Sequence, residues 1–539
     1  MKILTAEEMG AADRRSVAAG VSVEALMQQA GDAVARFCLR RFIGDGLIVV
    51  LAGKGNNGGD GLVAALRLDE AGRNVRVALL GKAAELKAEA ARALSHLAPR
   101  KADIEVREIE DEAELGAALE GAVLVIDAVV GTGFKPPLRG LAAVAQGLLA
   151  ETKVPVVAVD LPSGWDADSV EEKTQGAFRA DAVVTFAAPK LAHVFGHLTE
   201  ATFGPVVVAD IGTPEEAIES ATGLTWGGSS KTIAETPRAI NGNKGRLGHV
   251  LLMGGAYGKA GAPSMASVAA MRAGAGLVTA AVPREILSIV AAVAPELMLT
   301  PLATEGSGGL ALEALEEKPL AALLKGISVA GIGPGLGQEG STPEWVRAFV
   351  ERVTLPMVID ADALNALAGR TSLLKNARDA TGRRRTIVLT PHPGEMARLV
   401  EMSVKEVEAD RVGLARRFAT EHGVTLVLKG WRTLVAHPDG RVAVNTTGNP
   451  SMAKGGSGDI LTGIVCAMLA QHPNNVAEAV EAAVFLHGLA GDFACLAQDE
   501  HTVLAMDTVG HLWEAFRARV KDTDGLRWIA GTGTNGEGR

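Results

Sequence analysis

Short apolar runs alternate with amphipathic stretches along most of this chain. Residues 47–52, 75–80, 123–129, 154–159, 182–186 and 206–208 are dominated by Val, Leu, Ile, Ala and Phe, as strands buried on both faces are, and segments such as 61–71 and 83–97 have helical spacing. This predicts a parallel sheet wound with helices on both faces. The alternation stops between Thr213 and Gly248, where Pro, Gly, Ser and Thr mix without an apolar period, and a linker is predicted over 216–244. A second series follows at 249–253, 277–282, 327–330, 357–359, 386–389 and 425–428, with an antiparallel excursion at 433–436 and 442–445 turned by Pro438-Asp439-Gly440. The expected organisation is a first domain over 1–215, a second over 245–520, and a Gly-, Thr- and Asn-rich disordered tail over 521–539.

Each series carries a glycine-rich acidic motif between a strand and a helix: Gly53-Lys54-Gly55-Asn56-Asn57-Gly58-Gly59-Asp60-Gly61 and Gly455-Gly456-Ser457-Gly458-Asp459. Successive backbone N–H groups at a helix start suit phosphate, and a nearby carboxylate suits proton chemistry. The first motif has dehydrogenase-like glycines, but the next strand ends Ala78-Leu79-Leu80-Gly81 without the acid that holds a ribose, which argues against a simple dehydrogenase. Other strand ends converge there: Asp127 leads into Gly131-Thr132-Gly133-Phe134-Lys135-Pro136-Pro137, and Asp160-Leu161-Pro162-Ser163-Gly164 leaves the next strand. Two carboxylates, an Asn and a Ser hydroxyl form an oxygen-rich set suited to a hard cation, or else cap local turns. In the second half, Asp459 is placed to accept a proton from an attacking hydroxyl. Lys429-Gly430-Trp431-Arg432-Thr433 follows a strand and suits a nucleotide phosphate. His392, Asp360, Asp362 and the Gly331–Gly337 loop also leave strand ends.

Composition narrows the field. With 539 residues and 48% hydrophobic content, about two to four domains are expected. A net charge of -10 leaves no broad cationic surface for nucleic acid. Cys38, Cys466 and Cys495 lack metal-ligand spacing and fit a reducing compartment. No targeting segment precedes Thr5-Ala6-Glu7-Glu8, a capping box opening a helix through Arg15, and charged residues or Gly interrupt the apolar stretches before about 18 residues. A cytoplasmic protein without a membrane span is expected.

The stretch Ile3 to Met9, Leu26-Met27-Gln28-Gln29-Ala30-Gly31, the Asn-Asn-Gly-Gly-Asp loop, Asp127, Gly131-Thr132-Gly133 and Asp160 to Gly164 together resemble the YjeF N-terminal family of NAD(P)H-hydrate epimerases, over about residues 1–215. The resemblance implies that Asn57, Asp127 and Ser163 hold a potassium ion. It also implies that Asn56, Asn57, Gly58, Gly59, Asp60, Gly131, Thr132, Gly133, Phe134, Lys135, Pro136, Pro137 and Asp160 touch the hydrated nucleotide, with Asp160 catalytic. The second half, with Gly261-Ala262-Pro263 and Met271-Arg272-Ala273-Gly274-Ala275-Gly276, resembles the YjeF C-terminal family of ADP-dependent NAD(P)H-hydrate dehydratases, related to ribokinase-like kinases. That implies nucleotide contacts from Lys429, Gly430, Trp431, Arg432, Thr433 and Gly458, and hydrate contacts from Ala262, Gly335, His392 and Asp459.

The fold class implied is α/β, with an N-terminal Rossmann-like three-layer sandwich and a C-terminal ribokinase-like domain. The partners implied are small-molecule nucleotides: NADHX or NADPHX as substrate, ADP as phosphoryl donor and Mg2+ as its metal. A homo-oligomer is expected. Two alternatives stay open, a ribokinase-like small-molecule kinase and a noncatalytic nucleotide sensor as first domain.

Overall fold

Six apolar runs and one charged segment of the first half become strands: β1 Leu47–Ala52, β2 Asn74–Leu80, the charged β3 Glu105–Ile109, β4 Ala122–Ala128, β5 Val156–Val159, β6 Ala182–Phe186 and β7 Val206–Ala209. In the second half they are β8 Leu224–Trp226, β9 His249–Met253, β10 Leu277–Pro283, β11 Met298–Leu302, β12 Val329–Ile332, β13 Met357–Ile359, β14 Ile387–Leu389, β15 Thr425–Leu428, β16 Leu434–Ala436 and β17 Val442–Val444, and a last strand, β18, spans Arg527–Ala530. The structure, a computed structural model, describes residues 1–97, 104–375 and 377–532. It divides into residues 1–224 with the segment from Val520 onward, and Thr225–Arg519.

The first sheet has the order β18-β7-β6-β5-β4-β1-β2-β3, and β1 to β7 run parallel. Strand order reverses between β1 and β4, so a crevice opens at their carboxyl ends, where open parallel sheets bind ligands. Apolar clusters cover both faces, one including Phe37, Leu62 and Leu68, the other Leu115, Leu149 and Phe178. The second sheet has the order β11-β10-β9-β12-β13-β14-β15-β16-β17-β8, reversing between β9 and β12. It is parallel from β11 to β15 and antiparallel through β15, β16 and β17, as the Pro-Asp-Gly turn predicts.

Three expectations need correction. The helix expected from residue 61 begins at Asn56, so the Asn-Asn-Gly-Gly-Asp motif is itself its first turns. The linker expected over 216–244 contains β8 and a 3-10 helix, Gly227–Ala234. It is held because Trp226 is fully buried, its ring edge-on to Phe485 at 5.8 Å and its indole N–H donating to Thr446 Oγ1 at 2.8 Å. The tail is not disordered where described: β18 pairs antiparallel with β7, driven by burial of Leu526, Trp528 and Ile529, while residues 533–539 lie outside the described set. The helix Val476–Ala497 has a mean hydropathy of 1.4 and is long enough to cross a membrane, but 89% of its apolar window is buried in the protein.

Trp528 lies beneath the Arg41 guanidinium, 4.6 Å from its ring centroid, and donates to Asp522 Oδ2 at 3.0 Å. Trp528→Ala should therefore destabilise the first domain by about 3 kcal/mol. Hydrogen exchange of the β6 and β7 amides checks this, and unchanged protection would mean that β18 contributes nothing.

Candidate active sites

The first crevice is built by backbone close approach. A Cβ on Gly58 would lie 1.9 Å from the Gly53 carbonyl oxygen, so only glycine lets the helix Asn56–Glu70 start directly off β1. Across the crevice, a Cβ on Gly131 would lie 2.8 Å from Asp160 Oδ2 and 2.9 Å from Asn57 Oδ1, which places those two side chains against the same loop. Asp127, at the end of β4, is fully buried. Its Oδ1 accepts from Ser163 Oγ at 2.6 Å and Val129 N at 3.2 Å, and its Oδ2 accepts from Ser163 N at 2.7 Å. Burial raises its carboxyl to about 6 against these hydrogen bonds. Asn57 Nδ2 is buried without a hydrogen-bond partner among the described residues.

Asp160 follows β5 with φ at 67°, a conformation rare outside glycine and asparagine. Its Oδ1 accepts from Lys190 Nζ at 2.7 Å and Thr185 Oγ1 at 2.8 Å; its Oδ2 accepts from Thr132 N at 2.7 Å and Thr132 Oγ1 at 2.5 Å. Burial opposes its ionisation, but the Lys190 ammonium, 2% exposed, and the hydrogen bonds prevail and hold the carboxyl far below its usual range. His193 accepts from the Lys190 amide at Nδ1, 3.0 Å, and so donates from Nε2 to the Asp160 carbonyl oxygen at 2.6 Å. Burial, with Lys190 nearby, lowers it to about 4 and keeps it neutral. Lys135 lies outside this core, paired with Asp166 at 2.7 Å and Asp168 at 2.9 Å.

In the second domain the carboxyl ends of β12 to β15 supply the site. Asp360, 1% exposed, accepts from Lys429 Nζ at 3.1 Å and Thr462 Oγ1 at 2.7 Å. Lys429 Nζ also lies 3.8 Å from Glu395. Burial would lower Lys429, but Asp360 and Glu395 outweigh it and the ammonium is strengthened. Gly456 enters the helix Ser457–Gln471 at φ 97°, so Asp459 falls in its first turn, where N–H groups lack intrahelical partners. A Cβ on Gly458 would lie 3.1 Å from Lys429 Nζ and 3.7 Å from Asp360 Oδ2. Burial first, then the charges of Asp360, Asp362 and Glu395, raise Asp459 to about 7, with Lys429 opposing.

The remaining expected residues surround this centre. A Cβ on Gly335 would lie 3.0 Å from the Ala262 Cβ, and Gly337 N donates to Asp362 Oδ2 at 2.8 Å. His392 is half-exposed and caps the helix Pro393–Val400, accepting from Gly394 N at 3.0 Å and Glu395 N at 3.3 Å. Arg432 stacks on the exposed Trp431 ring at 4.3 Å, leaving a flat cationic and aromatic surface beside Gly430 and Thr433. Sequence reasoning did not assign Thr185, Lys190, His193 and Thr462, although Lys190 stands just past the end of β6, where strand-end reading finds such groups.

Family models match both halves: one described as YjeF-related protein N-terminus over residues 23–192, and one described as NAD(P)H-hydrate dehydratase over residues 250–512. The chain is similar to the bifunctional NAD(P)H-hydrate repair enzyme of Moorella thermoacetica, 39% identical over 95% of this chain and 96% of that relative. It is similar too to the enzyme of that name from Pyrobaculum aerophilum, 37% identical over 96% of this chain and 98% of that relative. A solved structure of the ADP/ATP-dependent NAD(P)H-hydrate dehydratase from Bacillus subtilis, co-crystallised with ATP and Mg2+, is 31% identical, covering 53% of this chain and 96% of that one at a TM-score of 0.45.

Proposed function

This chain belongs to the family of bifunctional NAD(P)H-hydrate repair enzymes, and from that premise we propose how its residues divide the work. The first domain interconverts the R and S hydrates, and the second dehydrates the S epimer with ADP, releasing AMP and phosphate. The observation that carries this assignment is Asp459, a carboxyl raised to about 7 in the first turn of a glycine-entered helix, beside Lys429.

The hydrate bears a hydroxyl at C6, next to the ring nitrogen. Asp459 takes the hydroxyl proton as the oxygen attacks the β-phosphorus of ADP, and AMP leaves. The N–H groups at the helix start stabilise the charge that develops on the phosphoryl oxygens, and Lys429 adds a fixed cation. The ring nitrogen then expels phosphate from C6, and loss of a proton from C5 restores the dihydropyridine. Lys429 feels Asp360, Glu395 and Asp459, and Asp362 adds its charge at Asp459, so these carboxylates outnumber that ammonium and the surplus negative charge fits a divalent cation arriving with the nucleotide. Mg2+, when bound, supplies charge neutralisation between these carboxylates and the phosphates. In a 31P NMR experiment with ADP and the S hydrate, inorganic phosphate and AMP should accumulate together. A persistent phosphorylated organic product would instead identify a kinase.

In the first domain, Asn57, Asp127 and Ser163 are the proposed holders of potassium. Their oxygens suit a hard monovalent ion, and a cation would offset the burial that raises Asp127. Asp127→Ala should then weaken potassium activation of epimerisation and raise the KM for hydrate at least about tenfold, whereas loss of a simple turn cap changes stability by about 1 kcal/mol. Potassium titration of epimerase activity is the check. A wild type indifferent to potassium, with Asp127→Ala epimerising equally fast, would remove the assignment.

We place the enzyme in a reducing compartment such as the cytoplasm, since its three cysteines, Cys38, Cys466 and Cys495, are all free thiols. A homo-oligomer acting on free nucleotides, without nucleic acid or membrane, is the assembly that light scattering should find.

A further inference from the structure

We propose that Asp60 is the group that transfers the proton at C6 during epimerisation. Asp160, the more conspicuous carboxylate, is occupied. Its two oxygens accept four hydrogen bonds, from Thr132 N, Thr132 Oγ1, Thr185 Oγ1 and Lys190 Nζ, which fills the roughly four acceptor positions that a carboxylate has. Taking a proton would break at least one of these and leave the buried Lys190 ammonium without its counter-charge. Its arrangement holds Lys190 and the Thr132 loop in place, and a group so held makes a poor base.

Asp60 differs in each respect. Among the described residues its carboxyl accepts no hydrogen bond and forms no ion pair, yet the residue is partly buried and feels the charges of Asp160, Asp13 and Lys190. It stands three residues after Asn57 on the helix Asn56–Glu70, hence on the same face, toward the crevice. Its backbone is fixed. The neighbouring helix Val23–Arg41 passes so near that a Cβ on Gly31 would lie 2.7 Å from the Asp60 carbonyl oxygen. Burial and the two neighbouring carboxylates push the Asp60 carboxyl well above its ordinary value, against Lys190, so this side chain holds a proton more readily than an exposed aspartate does.

Protonated Asp60 gives its proton to the C6 hydroxyl oxygen; the C6–O bond breaks, the ring-nitrogen lone pair forms a C6=N1 double bond, and water leaves. Asp60, now a carboxylate, faces the iminium cation. Water adds to either face of C6, the C6=N1 pair returns to nitrogen, and the proton lost by that water returns to Asp60. One water is lost and one gained, with no oxidant and no net proton.

This inference rests on the epimerase reading of the first domain, and one experiment separates the two. The full chain, without ADP, is given the pure R hydrate in water enriched in oxygen-18, and S hydrate and label at C6 are followed by chromatography and mass spectrometry. Wild type should form S hydrate with label. Asp60→Asn should lose at least about 100-fold in kcat with KM within about threefold, and label uptake should fall in parallel. Asp60→Glu should recover at least about tenfold over Asp60→Asn, and the retained KM shows that the site is folded. Asp60→Asn with kcat near that of wild type, or with a loss confined to KM, would overturn the role of Asp60 while leaving the epimerase reading intact. A wild type that forms no S hydrate would overturn the epimerase reading, and this role with it.

Discussion

Asp459→Asn will lower ADP-dependent dehydration by about 10²- to 10⁴-fold while leaving epimerisation unchanged, because the substitution removes a base from the second domain and the epimerase residues belong to the first. The pH dependence has a fixed sign. Burial and the charges of Asp360, Asp362 and Glu395 raise Asp459 to about 7, so below that pH the carboxyl is protonated and cannot accept the hydroxyl proton. The kcat/KM of dehydration in the free enzyme should climb with pH through about 7, and the residual activity of the Asn variant should lack that step. Steady-state kinetics on the S hydrate, at pH values on both sides of 7, measure both. Near-normal turnover in the variant would assign the base elsewhere.

Lys190→Met will destabilise the first domain by about 3–5 kcal/mol, the usual consequence of leaving one member of a buried ion pair alone. In the wild type, Lys190 Nζ lies 2.7 Å from Asp160 and the side chains are 2% and 10% exposed. The folded-state value of Asp160 is depressed, so its stabilising contribution is present above the unfolded value of about 3.9 and disappears as pH falls through the folded one. Without Lys190 the sign reverses, since burial then raises Asp160 and acidification relieves the variant. Lys190→Met combined with Asp160→Asn should recover at least half of the loss. Hydrogen exchange of the β5 and β6 amides reads this locally, which matters in a two-domain chain that need not unfold in one step. An unchanged protection pattern in Lys190→Met would show that the pair is not a stabilising element.

Central strands were readable where burial on both faces makes the apolar run continuous, as at β1, β6, β9, β13 and β15. Edge strands were not. β3 reads Glu-Val-Arg-Glu-Ile and pairs on one side only, so charge interrupts the run, and β11 carries Pro301. The helix start at Asn56 was hidden because Asn and Gly are weak helix formers, and tertiary packing through Gly58 and Gly61 decides the matter. Buried Trp226 and Trp528 turned an apparent linker and part of an apparent tail into sheet, through contacts with Phe485 and Phe37 that no local pattern contains.

The sites were legible to the extent that their residues sit at strand ends. Asp127 ends a predicted strand, and Asp160, His392, Lys429 and Asp459 belong to loops or first turns that follow predicted strands or glycine motifs. Their partners were not legible. Thr185 and Lys190 meet Asp160 from 25 and 30 residues further along the chain, and a lysine in sequence looks like a surface group until the fold buries it. Thr462 reaches Asp360 across 102 residues.

The central claim, that one chain holds two complementary activities, is tested most directly by giving the full chain an equal mixture of R and S hydrate with ADP and Mg2+ and following dihydronicotinamide absorbance to completion. The account predicts that the whole mixture is converted to NAD(P)H, with one AMP and one phosphate formed for each. Conversion that stops when the S epimer is exhausted, leaving the R epimer untouched, would contradict it.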